Sequence, residues 1–313
     1  MGIIAIINNV TPAKYLARII FKSEIGRVSN SSIVPVLLSS AIERMVIAGI
    51  KIRKITGDKL KKGIKSASAP SSKFVLKEIN SFLSSIIGYV FIIIYLIASG
   101  LFHWILSNNA NLLEGAEADL IPFFNLSPVI FLILIPAITM RSIAEERRTG
   151  TIELLLTRPI SDLKIILAKY FAGVTLLIIA IIPTITYFIS MYYLGKPVGI
   201  IDLGATFTSY IGLTLLGSVF IAIGIFASSL TNSQIVAFIL AMFLCWIFYD
   251  GFNLLGNFSQ IGELDYIIQY IGIAFHYDSI KKGVIEISDL LYFLSVIVLF
   301  ISAALVVVRT FKK

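Results

Sequence analysis

Long apolar runs separated by short polar segments fill the chain from residue 82 onward. Six runs reach the roughly 18 or more residues that a helix needs to cross the apolar core of a bilayer. Six such runs leave too little polar surface for a water-soluble core, so the pattern predicts an all-α integral membrane protein with six transmembrane helices. The predicted spans are Phe82–Leu106, Ile121–Met140, Ile165–Leu194, Phe207–Ala227, Ile235–Leu255 and Leu290–Val308.

Three further features refine this pattern. Pro183 predicts a kink in the third span, because proline removes a helical hydrogen bond. Apolar residues fall loosely on one face of Lys73–Phe82, which predicts an elbow helix in the membrane interface; the alternative is a cytosolic extension of span 1. Isoleucines among acidic residues within Gly256–Asp289 predict a short amphipathic or re-entrant helix before span 6.

Composition supports the membrane prediction. The chain of 313 residues is 58% hydrophobic and only 14% charged, whereas soluble domains carry about 25% charged residues. Its net charge of +8 is concentrated at one end. Residues 1–75 contain 13 Lys and Arg against 3 Asp and Glu, and residues 76–313 contain 13 against 15. Because the remainder is almost neutral, we do not expect nucleic acid as a partner.

The distribution of basic residues in the loops predicts the orientation of the spans. The loop after span 1 (Ser107–Leu120) has no Lys or Arg, and the loop after span 3 has only Lys196. Cytoplasmic loops of membrane proteins carry an excess of Lys and Arg. The loop after span 2 is therefore predicted to be cytoplasmic, with both termini on that side of a cell inner membrane; it contains Arg141, Arg147, Arg148, Arg158 and Lys164.

The basic stretch before the first span divides the chain into residues 1–72 and a permease-like domain of residues 73–313. Residues 1–72 contain no run long enough to span a membrane. One interpretation is a cytosolic segment attracted to anionic lipid. The interpretation we favour is a poorly ordered extension, or a start placed too early for a chain that begins near Lys73.

Motifs for catalysis are absent from the sequence. The only Gly-Lys pair, Gly195-Lys196, precedes a proline and not the Ser or Thr of a phosphate-binding loop. One Cys and two His leave no set of Cys or His ligands for a metal. His103 and His276 are placed near the outer face without a partner set. We therefore expect neither an enzyme nor a bound cofactor.

Few ionisable or reactive residues fall within the spans. Lys169 lies four or five residues inside the cytoplasmic end of span 3, near enough for its ammonium to reach the interface. Asp250 lies toward the outer end of span 5, and neither residue has an obvious partner in the sequence. Cys245 is expected to be a small packing residue. The lack of a carboxylate chain across the spans disfavours an ion-driven transporter.

Small residues in span 4 allow a close approach of helices. Small residues four apart let two helix backbones come together. That contact could lie within the chain or across a dimer, and we expect the following residues to contribute to dimer packing: Gly217, Ser218, Ala222 and Gly224.

The most informative segment is the loop Arg141–Lys164. Ser142 and Glu145 form a capping-box pattern, in which each side chain would bond the backbone at the start of one helix. Gly150 ends that helix, and a second short helix is predicted over Thr151–Thr157, stopped by Pro159. A structured, charged loop is typical of docking onto a soluble partner; the alternative is a connector that lies on the membrane.

The sequence Glu146–Ile160 (ERRTGTIELLLTRPI) resembles the E-x-x-x-G-T-[IL]-E-x-L-L-x-x-P-[IV] signature of ABC type-2 export permeases. Two other segments, Lys77–Phe82 and His276–Ser295, look like the gliding-motility-associated subgroup of that family. The resemblance covers about residues 73–313.

This resemblance implies a transmembrane permease subunit of an ATP-driven exporter. The loop would contain a coupling helix that contacts a separate ABC ATPase subunit, where the ATP is bound. Two permease chains, identical or paralogous, would pair with two ATPase chains. The implied coupling residues are Glu145, Glu146, Arg147, Arg148, Gly150, Thr151, Glu153 and Pro159.

The main rival function is a non-transporting membrane component that transmits ATPase-driven motion to envelope or secretion machinery. An integral membrane enzyme is disfavoured by the lack of a clustered nucleophile or metal set. An ion channel is disfavoured by the lack of a filter-like motif. The apolar spans with scattered Ser and Thr do not indicate a substrate.

Overall fold

A computed structural model describes residues 70–102, 120–151, 161–194, 201–258 and 268–310, with isolated positions between 47 and 58. Every regular element within these residues is helical. The α-helices are α1 (Pro70–Ser84), α2 (Ile86–Leu101), α3 (Ile121–Thr139), α4 (Ala144–Arg148), α5 (Asp162–Ile181), α6 (Ile185–Leu194), α7 (Leu203–Leu230), α8 (Gln234–Trp246), α9 (Phe252–Phe258), α10 (Ile273–Lys281) and α11 (Ile287–Thr310).

The predicted all-α membrane fold is confirmed. Five stretches of the described chain are long and apolar enough to cross a membrane, and they contain α3, α5 with α6, α7, α8 with α9, and α11. A sixth span results if α1 and α2, which are bent by 60° relative to each other, are taken together. The apolar runs identify spans well because each is a local property of the sequence.

The first predicted span is interrupted at Ser85. The Ser85 hydroxyl donates to the Phe82 carbonyl (2.8 Å) and accepts from the Gly88 amide (3.1 Å). One side chain thereby closes α1 and caps α2, because a Ser oxygen satisfies an amide that the new helix leaves unpaired. The straight part of the first span begins at Ile86 and not at Phe82. The bend between α1 and α2 has the geometry expected of an elbow helix.

Two other spans contain local changes in helix type. The predicted break at Pro183 is a single 3₁₀ turn, Ile182–Thr184, between α5 and α6. A π-helical turn, Ile247–Gly251, separates α8 from α9 and contains Asp250. Cys245 just before it is fully buried, which confirms its assignment as a packing residue.

Helix α7 is the centre of the bundle. It packs against α3, α5, α8, α10 and α11. Of the residues in an apolar 18-residue stretch of α7, 78% are buried inside the protein. The corresponding share for the span that contains α8 is 17%. Close approach depends on glycine: a Cβ at Gly217 would lie 2.5 Å from Leu177 Cδ2, and one at Gly224 would lie 2.7 Å from Thr139 Cβ.

These contacts correct the expectation for the small residues of span 4. The four residues that we assigned to dimer packing are all buried inside this single chain. They bring α7 against α3 and α5 and leave no surface for a second chain. A small-residue pattern reports a close helix contact but not the chain to which the neighbouring helix belongs.

Successive spans run in alternating directions, so their starts and ends are divided between two ends of the bundle. The α4 end contains α1, α4, the start of α5, the end of α7 and the start of α8, together with the last turn of α11. The α10 end contains α10, the starts of α3, α7 and α11, and the π-helical turn. This alternation places Pro70 and Thr310, the limits of the long described segments, on the side of α4.

The amphipathic helix predicted before span 6 is α10. The Tyr277 hydroxyl donates to the Phe124 carbonyl of α3 (2.8 Å), and the Ser209 hydroxyl of α7 donates to the Lys281 carbonyl (2.8 Å). The prediction that His276 has no partner is wrong, since its ring is fully buried and bonds Asp289 of α11. Helix α10 therefore connects three spans at one end of the bundle. The other histidine, His103, lies outside the described residues.

Candidate functional site

The start of α4 is capped by a different span. The predicted capping box is wrong: Ile143 occupies the cap position without a side-chain bond, and the buried Ser142 hydroxyl has no partner among the described residues. Instead, the Ser228 hydroxyl of α7 accepts from the amides of Ile143 and Ala144, both at 3.0 Å. It also donates to the Met140 carbonyl at 2.9 Å. A tertiary contact therefore replaces the local motif.

Two further bonds hold α4 against the bundle. The Arg147 guanidinium donates to the Ser229 carbonyl of α7 (2.8 Å), and the Gln234 amide at the start of α8 donates to the Glu145 carboxylate. Both partners lie around the short turn that joins α7 to α8. Helix α4 has only five residues, so these contacts and not its own length fix its position.

A buried ion pair joins α4 to α5. The Lys169 side chain is only 4% exposed, and its Nζ lies 2.6 Å from Glu146 Oε1. A second carboxylate, that of Glu78 on α1, lies 3.8 Å from the same ammonium. The expectation that Lys169 reaches the interface is wrong, because its charge is compensated inside the protein by acidic groups from two other elements.

The electrostatics of this Lys169–Glu146–Glu78 cluster make it a rigid junction. Removing a charge from water costs several kcal/mol unless an opposite charge and hydrogen bonds compensate it. Separating α4 from α5 would leave the Lys169 ammonium buried with Glu78 alone, at a distance too long for a hydrogen bond. A displacement of α4 is therefore expected to carry α5 and α1 with it.

Three other predicted coupling residues, Arg148, Gly150 and Thr151, lie on the exposed side of the loop. Arg148 is 62% exposed and pairs with Glu145 at 2.9 Å. Thr149 donates to the Glu145 carbonyl (2.9 Å), and Gly150 then ends the helix with a φ of +71°, a conformation that favours glycine. The exposed residues Arg148, Thr149, Gly150 and Thr151 form a free surface at the α4 end.

The eight predicted coupling residues thus fall into three groups. Glu145, Glu146 and Arg147 contact the bundle, whereas Arg148, Gly150 and Thr151 lie on the exposed side of the loop. Glu153 and Pro159, together with all but the first residue of the predicted second helix, lie outside the described residues. Sequence reasoning missed Lys169, Glu78 and Ser228; the only available signal was a lysine within an apolar run, which is a functional candidate by default.

No metal site accompanies this cluster in the part of the chain that the structure describes, where no three His, Cys, Asp or Glu side chains lie close enough to hold an ion. The polar groups of the cluster are engaged with one another and with backbone atoms. Their arrangement suits mechanical connection between helices and not chemistry on a bound molecule.

Fold and site together define a multi-pass, all-α membrane transport component with a structured loop at one end. The chain belongs to the ABC-2 family transporter proteins, whose family model matches residues 11–312. Members of this family are membrane transport subunits that normally pair with an ABC ATPase. A search of curated proteins finds no match.

The family match extends further toward the N-terminus than the sequence motifs suggested. It begins at residue 11, whereas the resemblance was expected to begin at about residue 73. Most of the basic N-terminal stretch is therefore part of the family region. The division of the chain at residue 72 stays a prediction.

We expect Ser228→Ala to loosen α4 without unfolding the bundle. The substitution removes the acceptor for two backbone amides and the donor to Met140, and loss of a helix cap costs about 1–2 kcal/mol. Hydrogen exchange of the Ile143 and Ala144 amides should accelerate strongly. Ser229→Ala is the matched control, because the Ser229 hydroxyl is also buried but bonds only the Phe226 carbonyl of its own helix. Equal effects of the two variants would contradict the capping role.

Proposed function

We propose that this chain is the permease subunit of an ATP-driven ABC export complex in the cytoplasmic membrane, with both termini and the α4 end in the cytoplasm. Family membership supports the export function, and the excess of Lys and Arg in the loop after span 2 supports the orientation. A separate ABC ATPase subunit would bind ATP and contact the exposed side of α4 and Gly150–Thr151.

The observation on which the coupling role depends is the set of bonds around α4. Helix α4 bonds three other elements directly: α7 through Ser228 and Arg147, α8 through Glu145, and α5 through Glu146. It reaches α1 indirectly, because Lys169 also pairs with Glu78. A partner that pushes on the exposed side of α4 would displace these helix ends together. Conformational change in such proteins is often a rigid-body motion of this kind.

The complex would contain a second permease chain, identical or paralogous, and two ATPase chains. Because the small residues of α7 are occupied within one chain, the second permease would contact other helices. Membrane lipid would cover the remaining apolar surface. A role linked to gliding motility or secretion is supported only by the resemblance of Lys77–Phe82 and His276–Ser295 to that subgroup.

We expect Arg148→Glu to weaken association with the ATPase about tenfold, because reversing a charge in a contact surface disrupts its electrostatic complementarity. The Arg148–Glu145 pair is solvent-exposed, and exposed ion pairs contribute little to stability, so the fold should be retained. Co-purification with the ABC ATPase that pairs with this chain measures the effect.

Arg309→Glu is the matched control for that experiment. Arg309 is also 62% exposed and lies at the same end of the bundle, but it is on α11 and pairs with Asp162 at the start of α5 and not with α4. Unchanged binding by Arg148→Glu, or an equal loss with Arg309→Glu, would contradict a contact at α4. Reconstitution in vesicles then separates the rival function: stimulated ATP hydrolysis that moves no solute but remodels an envelope protein would favour a force-transmitting component.

A further inference from the structure

A buried polar pair at the α10 end is not used by the proposed coupling. The ring of His276 on α10 is completely buried, and both of its nitrogens have partners. Nδ1 lies 2.7 Å from Asp289 Oδ1 at the start of α11, and Nε2 lies 2.9 Å from the main-chain carbonyl of Tyr270. The ring therefore connects three separate segments of the chain.

The chemistry of these two bonds requires a proton. The Tyr270 carbonyl can only accept, so Nε2 must carry a hydrogen. Asp289 Oδ1 and Nδ1 then need a second hydrogen between them, carried either by the imidazolium or by a protonated carboxyl group. In both cases the pair holds one proton more than a neutral histidine beside an ionised aspartate.

Loss of that proton would break one of the two bonds. With its single hydrogen on Nε2, the ring would direct the Nδ1 lone pair at the Asp289 carboxylate. With the hydrogen on Nδ1, it would direct the Nε2 lone pair at the Tyr270 carbonyl. Either arrangement leaves buried acceptors facing each other, which costs the desolvation of an unpaired polar group.

The surroundings offer no substitute donor in the described residues. Asp289 Oδ2 is buried without a hydrogen-bond partner. Two aromatic side chains lie beside the imidazole ring. The Tyr292 ring is stacked on it with 4.0 Å between centroids, and the Tyr270 ring lies edge-on to it at 4.8 Å. The stacked tyrosine favours a cationic ring through its π face.

In the described residues, no other ionisable side chain on the neighbouring elements hydrogen-bonds the His276 ring or the Asp289 carboxylate. On α10, Lys281 pairs with Asp278 (2.5 Å), and Lys282 follows at the exposed end of the helix. Before α11, Glu286 accepts from Ser288 (3.0 Å). The π-helical turn, which packs against α10, contributes Tyr249 and Asp250, and α7 contributes Tyr210 but no charged residue.

We propose that His276 and Asp289 form a proton-dependent latch between α10 and α11. With the proton bound, α11 is tied to α10, which is itself bonded to α3 and α7. When the proton is lost, that hydrogen bond opens and the hold of α11 on α10 weakens, leaving the bond from the Tyr292 hydroxyl of α11 to the Ile271 carbonyl just before α10. The latch is a property of the α10 end and does not depend on the coupling role of α4.

The test is hydrogen exchange of the full-length protein in lipid nanodiscs at about pH 5 and about pH 9, on either side of the range in which histidine side chains ordinarily change charge. Protection factors, which remove the intrinsic pH dependence of exchange, should fall about tenfold for the α10 amides of the natural protein, the size expected for one lost hydrogen bond. Equal protection at the two pH values would overturn the proposal.

Asp289→Asn supplies the matched variant. An amide can donate to Nδ1 or, after turning over, accept from it, so the latch should stay closed at both pH values. Protection of α10 in this variant should therefore be independent of pH. A fall as large as that of the natural protein would also overturn the proposal.

A second measurement does not depend on any variant of the pair. The chain contains only two histidines, so His103→Gln leaves a single ¹⁵N-labelled imidazole for NMR. At about pH 6.5 we expect a ring with hydrogen on Nε2 and a hydrogen bond at Nδ1. A neutral ring with hydrogen on Nδ1 alone would contradict the shared proton.

Discussion

Lys169→Met is expected to destabilise the protein by about 3 kcal/mol and to abolish stimulation of the ATPase. Removing one member of a buried ion pair leaves the other charge uncompensated, which costs about 3–5 kcal/mol. In this protein the remaining charges are the carboxylates of Glu146 and Glu78, which come from two different elements and would repel each other. Thermal unfolding in detergent and ATP hydrolysis by the reconstituted complex measure the two effects.

Lys164→Met is the control for this prediction. Lys164 lies on the same helix but is exposed, and an exposed substitution usually changes stability by less than about 0.5 kcal/mol. The double variant Lys169→Met with Glu146→Gln should be less destabilised than the sum of its single changes, because it removes both charges of the closest pair. A loss for Lys169→Met no larger than for Lys164→Met would contradict the buried cluster.

Gly224→Ala is expected to separate α3 from α7 and to cost about 1–3 kcal/mol, the usual range for an added methyl group in a packed core. The new Cβ would lie 2.7 Å from the Cβ of Thr139. Thr139 ends α3 and begins the turn that leads to α4, so it cannot move without moving that loop. The thermal midpoint should fall, and exchange at Ile143 and Ala144 should increase, since Ser228 lies one turn further along α7.

Gly251→Ala is the matched control for the Gly224 variant. Gly251 is also buried within a span, but a Cβ there would meet its nearest neighbour, Ile247, at an ordinary 3.6 Å. Its stability should be unchanged or slightly raised, since alanine is the better helix former. A similar loss in both variants would show that the close approach of α3 and α7 is not the cause.

The spans were predictable because hydrophobicity along a helix is local. The interruption at Ser85 was not, since the same residue in an apolar run can also face a neighbouring helix inside a continuous span. A kink at Pro183 was predicted, because proline acts on its own backbone, and the structure has a 3₁₀ turn at that residue.

The connections of the site could not be predicted from the sequence. Glu146 and Lys169 are 23 residues apart, and Glu78 is more distant still, so only the folded helices bring them together. The local pattern Ser142–Glu145 is typical of a capping box. Instead, the Ser228 hydroxyl of α7 accepts from the first amides of α4, and the Ser142 hydroxyl has no hydrogen-bond partner among the described residues. Here a buried acceptor from α7 takes the place of the local one, so a tertiary contact overrules the local preference.

The histidine prediction failed for a similar reason. His276 and Asp289 are 13 residues apart and belong to different helices, so the sequence contains no spacing that marks them as partners. The loop position suggested an exposed ring. The close packing of α10 on three spans, which buries it, depends on contacts at Phe124 and Ser209 that no local pattern records.

The burial of α7 restricts where a cargo could cross the membrane. The central part of α7 is enclosed by its own chain, so this part does not line a route between two permease subunits. Such a route would be lined by the helices with free faces, and on α8 that face consists of Ile235, Val236, Ile239 and Phe243. An aliphatic and aromatic lining offers no ligands to replace the water around an ion, so a hydrated ion would pay its full desolvation cost there. A cargo with apolar surface would not have that desolvation cost.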